Sequence, residues 1–428
     1  MNANNKEMIK TIDKTKEKIG IPKTEYVLKR IKELETDGHP PRTLFAACPN
    51  SISVIQASLR AAKRNNAPIK FATTLNQVDT DRGYTGFTHD EFVRYVEREC
   101  QKINFDGPVI IAIDHGGPWL KDKQSLEKWS LEEAMDGVKK SFEEAVKAGF
   151  DLIHVDPTVD IYLEPNETIS IEVVAARTIE LIKHIEDFRR KNNYPLISYE
   201  VGTEEVHGGL ADEKTFDTFL QLLKDGLREV NLADIWPCFI VGKVGTDLHT
   251  ATFDPEVASQ LTQKVKPFGS LIKGHYTDGV TNPEAYPLSG MGAANVGPEF
   301  TISEYEALIE LEKIEEKLFE DGRIAIKSNM KTLLWDAVIE SGRWKKWLFD
   351  DEKGKSFDAV SPERQEWLIS TGCRYIWQKP EVVIARYQLY ENLNSNGFEA
   401  EEIVLSRIER DMDKYFRSFN LVGLNSYL

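Results

Sequence analysis

The chain has 428 residues, of which 41% are hydrophobic and 29% charged; this suits a large buried core and argues against disorder. Its formal net charge is −16, and cationic stretches such as Lys139-Lys140 and Lys345-Lys346 are short and flanked by carboxylates, so nucleic acid is not an expected partner. Four scattered cysteines (Cys48, Cys100, Cys238 and Cys373) form no C-x-x-C pair, which disfavours zinc ribbons and disulfide frameworks.

The Lys- and Asn-rich first residues lack the apolar core of a secretory signal, and no apolar run approaches the ~20 residues needed to span a bilayer. The expectation is a cytoplasmic protein with free thiols and no membrane contact.

Short β-branched runs recur along the chain: Thr43–Cys48, Ile69–Leu75, Pro108–Ile113, Asp151–Val155, Pro195–Tyr199, Pro237–Val241, Ser270–Gly274 and Met291–Val296. Helical patterns separate them. Ser141–Ala148 ends at a plausible C-cap, Gly149, and Thr168–Arg190 carries an apolar stripe at helical spacing. Thr215–Leu232 and Pro255–Val265 repeat the theme, and Ser303–Leu318 opens on a possible N-cap, Ser303.

Continuous apolar strands alternating with amphipathic helices predict an α/β fold, a closed (β/α)8 TIM barrel over residues 41–322. An open dinucleotide-binding sheet would carry G-x-G-x-x-G after strand one, where this chain reads Cys48-Pro49-Asn50-Ser51. Residues 1–40 form a predicted N-terminal helical segment. Residues 323–428, with Trp335, Trp344, Trp347, Trp367 and Trp377, form a predicted helical, Trp-rich C-terminal extension packed on the barrel.

Barrel enzymes work at the C-terminal ends of their strands. Those ends are polar or ionisable here: Asn76-Gln77 after strand two, Asp114-His115 after strand three, Asp156 after strand four, and Glu200 with Glu204 after strand five. His249 follows strand six, His275 and Asp278 follow strand seven, and Asn295 ends strand eight. Singly, each histidine has a bland reading as a loop or core residue. Together, His115, His249 and His275 can converge on one divalent ion and leave a position open for substrate. Asp114, Asp156, Glu200 and Glu204 supply bases and orienting carboxylates. His154 lies inside strand four, where a core or supporting role is expected, and His39, His89 and His184 are expected in solvent.

Several motifs carry a resemblance: Asn76-Gln77-Val78 with Gly83-Tyr84-Thr85-Gly86-Phe87-Thr88, Asp114-His115-Gly116-Gly117-Pro118, Ile153-His154-Val155-Asp156, Tyr199-Glu200-Val201-Gly202-Thr203-Glu204, Val296-Gly297-Pro298 and Arg374-Tyr375-Ile376-Trp377. Over most of its length the chain resembles the Z-type subunit of class II tagatose-bisphosphate aldolase, a family often labelled non-catalytic and similar to the catalytic class II aldolases. The resemblance implies a catalytic aspartate at Asp114 and metal ligands at His115, His249 and His275, with zinc expected and manganese, cobalt or nickel as alternatives. It implies substrate contacts from Asn295, with Asn76, Gln77 and Asp278 at the same mouth.

The chain departs from the aldolases at Pro298, which stands where they place a phosphate-binding Thr and offers neither an N–H nor a hydroxyl. The implied activity is retro-aldol C3–C4 chemistry on a ketose or ketose phosphate, as a tagatose-type aldolase or a ketose C4-epimerase. The alternative is an accessory barrel that stabilises a catalytic aldolase subunit. Self-association as a homo-oligomer is expected in either case.

Overall fold

The computed structural model describes residues 20–164, 167–203, 213–247 and 252–428. Helix α1 (Lys23–Thr36) precedes β1 (Leu44–Ala47) and α2 (Ile52–Arg64). The chain continues through β2 (Ile69–Thr74), α3 (His89–Ile103), β3 (Val109–Gly116), the short α4 (Asp122–Leu126), α5 (Leu131–Ala148) and β4 (Leu152–Val155). Next come α6 (Ile171–Lys191), β5 (Ser198–Gly202), α7 (Glu213–Glu229), β6 (Phe239–Val241), α8 (Pro255–Val265), β7 (Leu271–Gly274), the one-turn α9 (Ala285–Leu288) and β8 (Ala293–Val296). All eight strands are parallel and close in sequence order, β8 pairing back onto β1. The fold is a TIM barrel followed by C-terminal helices.

Local signals set the helix starts. Thr88 and Glu91 form a reciprocal capping box at α3, and Ser130 and Glu133 form one at α5. Gly149 ends α5 in the left-handed conformation, as its position in the sequence predicts.

Several expected boundaries move: β3 runs on to Gly116, so that Asp114 and His115 lie within it, and α5 starts at Leu131 instead of Ser141. Strand five runs from Ser198 to Gly202 instead of Pro195 to Tyr199, because pairing with β4 begins at Leu152↔Ser198 and Pro195 has no N–H to give the ladder. Glu200 therefore lies inside a strand and points into the barrel. The last barrel helix, α10 (Pro298–Glu320), starts five residues before Ser303, because Pro298 supplies a preset first turn. Ser303 lies within that helix, and its hydroxyl bonds Asp411.

The two ends of the barrel are treated differently. Helix α1 covers the N-terminal end. Lys23 Nζ bonds the Val109 carbonyl at 3.1 Å and Asp151 at 2.7 Å, and Ser198 donates to Glu25 at 3.1 Å. The N-terminal ends of β3, β4 and β5 are thus tied to one helix.

Beyond α10 lie α11 (Met330–Ser341), α12 (Pro362–Gly372), α13 (Pro380–Asn394) and α14 (Ala400–Ser418). Helix α14 packs on α2 and α10, with Arg60 and Arg64 of α2 paired to Glu402, Glu409 and Asp413. Phe45 of β1 stacks on Tyr415 at 5.5 Å and meets Phe416 edge-on at 5.1 Å, so α14 and the barrel wall share one core. No helix among the described residues is long and apolar enough to cross a membrane.

Phe416 is fully buried at this junction. Phe416→Ala should cost about 3–5 kcal/mol and lower the urea midpoint in one cooperative transition. A biphasic melt, with the barrel transition unmoved, would show that the C-terminal helices fold apart from the barrel.

Candidate active site at the barrel mouth

TIM barrels usually fill their interior with layers of branched apolar side chains. This barrel carries charge through its centre. Lys70, Asp114, His154, Glu200, Lys273 and Asn295 lie at registered positions of β2, β3, β4, β5, β7 and β8, and all are buried. The Lys273 ammonium sits 2.8 Å from Asp114 Oδ1 and 2.5 Å from Glu200 Oε1. Lys70 Nζ lies 3.5 Å from Glu200 Oε2. Two ammonium groups thus balance two carboxylates where hydration is lost.

The cluster's charges follow from that pairing. Burial opposes ionisation of Asp114 and Glu200, but Lys273 holds both well below the ordinary carboxyl range, helped by His275 at Asp114 and by Lys70 at Glu200. Burial and repulsion from Lys273 bring Lys70 down to about 8.

At the mouth, three imidazoles gather above the ion pairs. The ring centroids of His115 and His275 are 4.4 Å apart, and His154 is 5.3 Å and 5.5 Å from them. His275 Nε2 is 3.4 Å from Asp114 Oδ1 and 3.5 Å from Glu200 Oε1. His154 Nδ1 accepts the His115 backbone N–H at 3.1 Å, and it lies 3.3 Å from Glu200 Oε1 and 3.5 Å from Asp114 Oδ1. Three acceptor atoms therefore converge, and the Lys273 ammonium lies against two of them, Asp114 Oδ1 and Glu200 Oε1.

His115 reaches this cluster by way of backbone distortion. The β3–β4 register shifts between Ile113 and Gly116, and His115 takes φ 49°. Such irregularities re-aim a side chain that strict alternation would send outward. The two glycines that follow allow β3 and β4 to close up: a Cβ on Gly117 would stand 1.8 Å from the Asp156 carbonyl.

Asp156 then bonds His115 Nδ1 at 2.6 Å and accepts from Thr158. Burial works against the Asp156 charge, but the His115 bond outweighs it and brings the carboxyl down to about 2. A carboxylate on Nδ1 leaves His115 Nε2 for an ion or substrate.

Asp114, His154, Glu200 and His275 each offer a ligand atom within 4.8 Å of the others, and His115, His154 and Asp156 form a second such group. This buried cluster can bind a divalent metal. His154 Nε2 is buried with no hydrogen-bond partner among the described residues, whereas Glu200 Oε2 faces the Lys70 ammonium. An ion bonded to Asp114 Oδ1 and Glu200 Oε1 would have to share those oxygens with Lys273.

The other sequence candidates divide. Asn295 Nδ2 donates to Asp114 Oδ2 at 2.9 Å, within the cluster. Gln77 donates to Asn50 at 2.7 Å and accepts the Thr74 N–H, bracing the loop after β2. The Asn76 amide bonds Leu120 and Asp122 in the loop after β3. Asp278 Oδ1 accepts the N–H groups of Gly297 at 2.9 Å and Glu299 at 2.8 Å, at the start of α10. Glu204 and His249 lie outside the described residues.

Lys70 and Lys273 were missed by strand-end reasoning because both stand within strands. Their signal is a lysine in an apolar run buried on both faces, which demands a partner. His89 is also not in solvent: it is buried at the start of α3, edge-on to Phe150 at 5.2 Å, and burial lowers its pKa to about 4.

Two tests follow from these charges. Lys273→Met strands two buried carboxylates and should cost about 3–5 kcal/mol, read as a drop in the urea midpoint at pH 7; a change under about 1 kcal/mol would refute the pairing. For Asp278, enclosure and the nearby Glu299 raise the carboxyl to about 7. The folded state therefore holds a proton that the unfolded chain gives up near pH 4. This contribution is full below pH 4, falls by at most about 1.4 kcal/mol per pH unit as pH rises to 7, and then levels off. Asp278→Asn should remove that slope, and parallel pH–stability curves for both proteins would contradict the assignment.

Comparisons with known proteins agree on architecture. The chain covers 88% of its own length in similarity to a crystal structure described as a probable tagatose 6 phosphate kinase from Sinorhizobium meliloti 1021, all of which is covered, at TM-score 0.71 and 22% identity. It is also similar to the fructose-bisphosphate aldolase of Campylobacter jejuni, with TM-score 0.53, 12% identity, and 94% and 93% of the two chains covered. At these identities the likeness shows the fold. Residues 28–417, nearly the whole chain, match the family described as D-tagatose-1,6-bisphosphate aldolase subunit GatZ/KbaZ-like, and the chain belongs to that family.

Proposed function

We propose that this protein is a metal-dependent enzyme that cleaves and re-forms the C3–C4 bond of a ketose or ketose phosphate, as an aldolase or a C4-epimerase. The observation that carries this reading is the convergence of Asp114, His154, Glu200 and His275 within 4.8 Å at the mouth of an aldolase-like barrel. His275, with His154, Asp114 or Glu200, would hold the ion, and His115, 4.4 Å from His275 between ring centroids, would stand beside it. Zinc suits this donor set of imidazoles and carboxylates, with manganese, cobalt or nickel able to substitute. A bound divalent ion supplies Lewis-acid polarisation of the substrate's C2 carbonyl.

The chain's own groups then have distinct tasks. Asp114 is ionised and held in place by Lys273 and by Asn295, so it can take the C4 hydroxyl proton as the C3–C4 bond breaks. The C4 oxygen becomes an aldehyde oxygen, and the bonding electron pair passes to C3 and the C2 oxygen. Asp156 fixes the ring of His115 through Nδ1. Glu200 anchors Lys273 and faces His275. Release of the aldehyde, followed by protonation of C3 with the proton taken up at Asp114 or its equivalent from water, gives an aldolase. Rotation of the aldehyde in place, followed by re-addition and return of the proton from Asp114, gives inversion at C4.

A specific observation favours a second reading. Lys273 and Lys70 together already balance Asp114 and Glu200, so the barrel has a charge-balanced centre without any metal. The family description also names a subunit. In this reading the chain stabilises a catalytic aldolase partner.

The discriminating experiment combines metal analysis of the purified chain with NMR of fructose, tagatose and their phosphates after loading with zinc, manganese, cobalt or nickel. The enzyme reading expects turnover, a kcat reduced about 10²–10⁴-fold in Asp114→Asn, and loss of metal and activity together in His275→Ala. Absence of turnover under every loading, with stimulation of a separately purified class II tagatose-bisphosphate aldolase on mixing, would overturn it in favour of the accessory role.

A further inference from the structure

The N-terminus of the helix after β8 is the part of a barrel best suited to hold an anion, because unpaired backbone N–H groups point at the ligand. Here that cradle is filled from within. Asp278 takes the N–H groups of Gly297 and Glu299, and Pro298 between them has none to offer. A phosphate on the substrate would have to find its charge partner elsewhere.

The C-terminal helices supply one. Arg374 lies in the turn Cys373–Tyr375 between α12 and α13, only 5% exposed. Its guanidinium packs 4.8 Å from the rings of both Trp347 and Tyr375. Its Nη1 is buried and has no hydrogen-bond partner among the described residues. Arginine does not shed its proton to relieve such a situation, and a buried cation without a paired anion is costly.

The place of Arg374 relative to the mouth is set by its neighbours. Tyr375 meets Tyr84 of the loop after β2 edge-on at 5.2 Å. The Tyr84 hydroxyl donates to Asn50 Oδ1 at 2.9 Å, as does Gln77 Nε2 at 2.7 Å. Two donors on Oδ1 fix the orientation of the Asn50 amide. Its Nδ2 is then a second buried donor without a partner among the described residues, and it lies 3.6 Å from where a Cβ on Gly297 would stand. Arg374 also lies within charge range of Tyr84 and Asp278. One orphaned donor, Asn50 Nδ2, thus lies at the Gly297 end of β8, and the other, on Arg374, is joined to Asn50 through Tyr375 and Tyr84; Asn295 of β8 bonds Asp114.

We propose that Arg374 and Asn50 form an anion subsite that takes the terminal phosphate or carboxylate of the sugar, in place of the helix N-terminus occupied by Asp278. Orphaned donors of this kind call for an acceptor-rich, negatively charged group, and a planar guanidinium binds either oxyanion through paired N–H bonds. The subsite makes the C-terminal helices part of substrate recognition. The identity of the sugar rests on the reading given under Proposed function, whereas the subsite itself is tested by binding.

Isothermal titration of the full chain, with and without zinc, would use fructose, fructose 6-phosphate, fructuronate and inorganic phosphate as probes. At least one anionic sugar should bind about tenfold or more tighter than fructose, and the stronger of the two identifies the anion as phosphate or carboxylate. Arg374→Met should abolish that preference, Arg374→Lys should retain part of it, and Asn50→Asp should reverse it by repulsion. Unchanged circular dichroism and urea midpoints certify the folds; should Arg374→Met fail that check, the lysine and Asn50 variants carry the test. Equal affinity for neutral and anionic sugars in the wild type, or a preference that survives in the variants, overturns the subsite. Anion-selective binding without turnover would leave the subsite standing and count against the retro-aldol reading alone.

Discussion

The pairing of Lys273 with Asp114 and Glu200 is the constraint on which the rest of the barrel mouth depends. Three charged side chains from β3, β5 and β7 meet in the interior, where none could stand alone. With Lys70 of β2 against Glu200 the charges balance, which lets the strands close around charge instead of branched aliphatic side chains. The pairing also keeps Asp114 and Glu200 ionised beneath the histidine rings. An ammonium in that position gives the site a cation of its own, and any metal there would act beside Lys273 and share its carboxylates.

Around this centre the two ends of the barrel have separate duties. Helix α1 ties the N-terminal ends of β3, β4 and β5 through Lys23 and Glu25, on the side away from the imidazoles. The C-terminal helices reach the opposite end. Arg343 of the turn after α11 packs 4.1 Å over the Tyr375 ring and pairs with Asp122, and Asp122 in turn bonds Asn76. The loops after β2 and β3 are therefore held by side chains more than two hundred residues away in the chain. Asn76 and Gln77 shape the mouth through this bracing, as Asp278 does through the start of α10.

The strand sequence of the barrel was legible because its physics is local. Apolar runs buried on both faces, separated by helices with their own caps, need no distant information to be recognised. Asp114, His115, Asp156, His275 and Asn295 could be singled out because barrel topology places the ends of successive strands together. Boundaries were less legible. Strand five shifted because its register is set by pairing with β4, and α10 began early because Pro298 accepts a first helical turn that Ser303 was expected to cap.

By itself the sequence determined the closed parallel barrel, the polar ring of residues at its mouth and membership of the family, because these rest on periodicity, strand order and motifs carried by the chain. Only the tertiary structure decided which side chains neutralise one another. Lys70 and Lys273 face inward because of parity and register, and their partners come from other strands. His154 joins the imidazole cluster through its place on β4 opposite Glu200, and His115 joins because the β3–β4 register shift turns it. Arg374 lies beside the β2 loop only because the C-terminal helices fold back over the barrel. Ion pairs and orphaned donors depend on distance in space, and no separation along the chain encodes that distance.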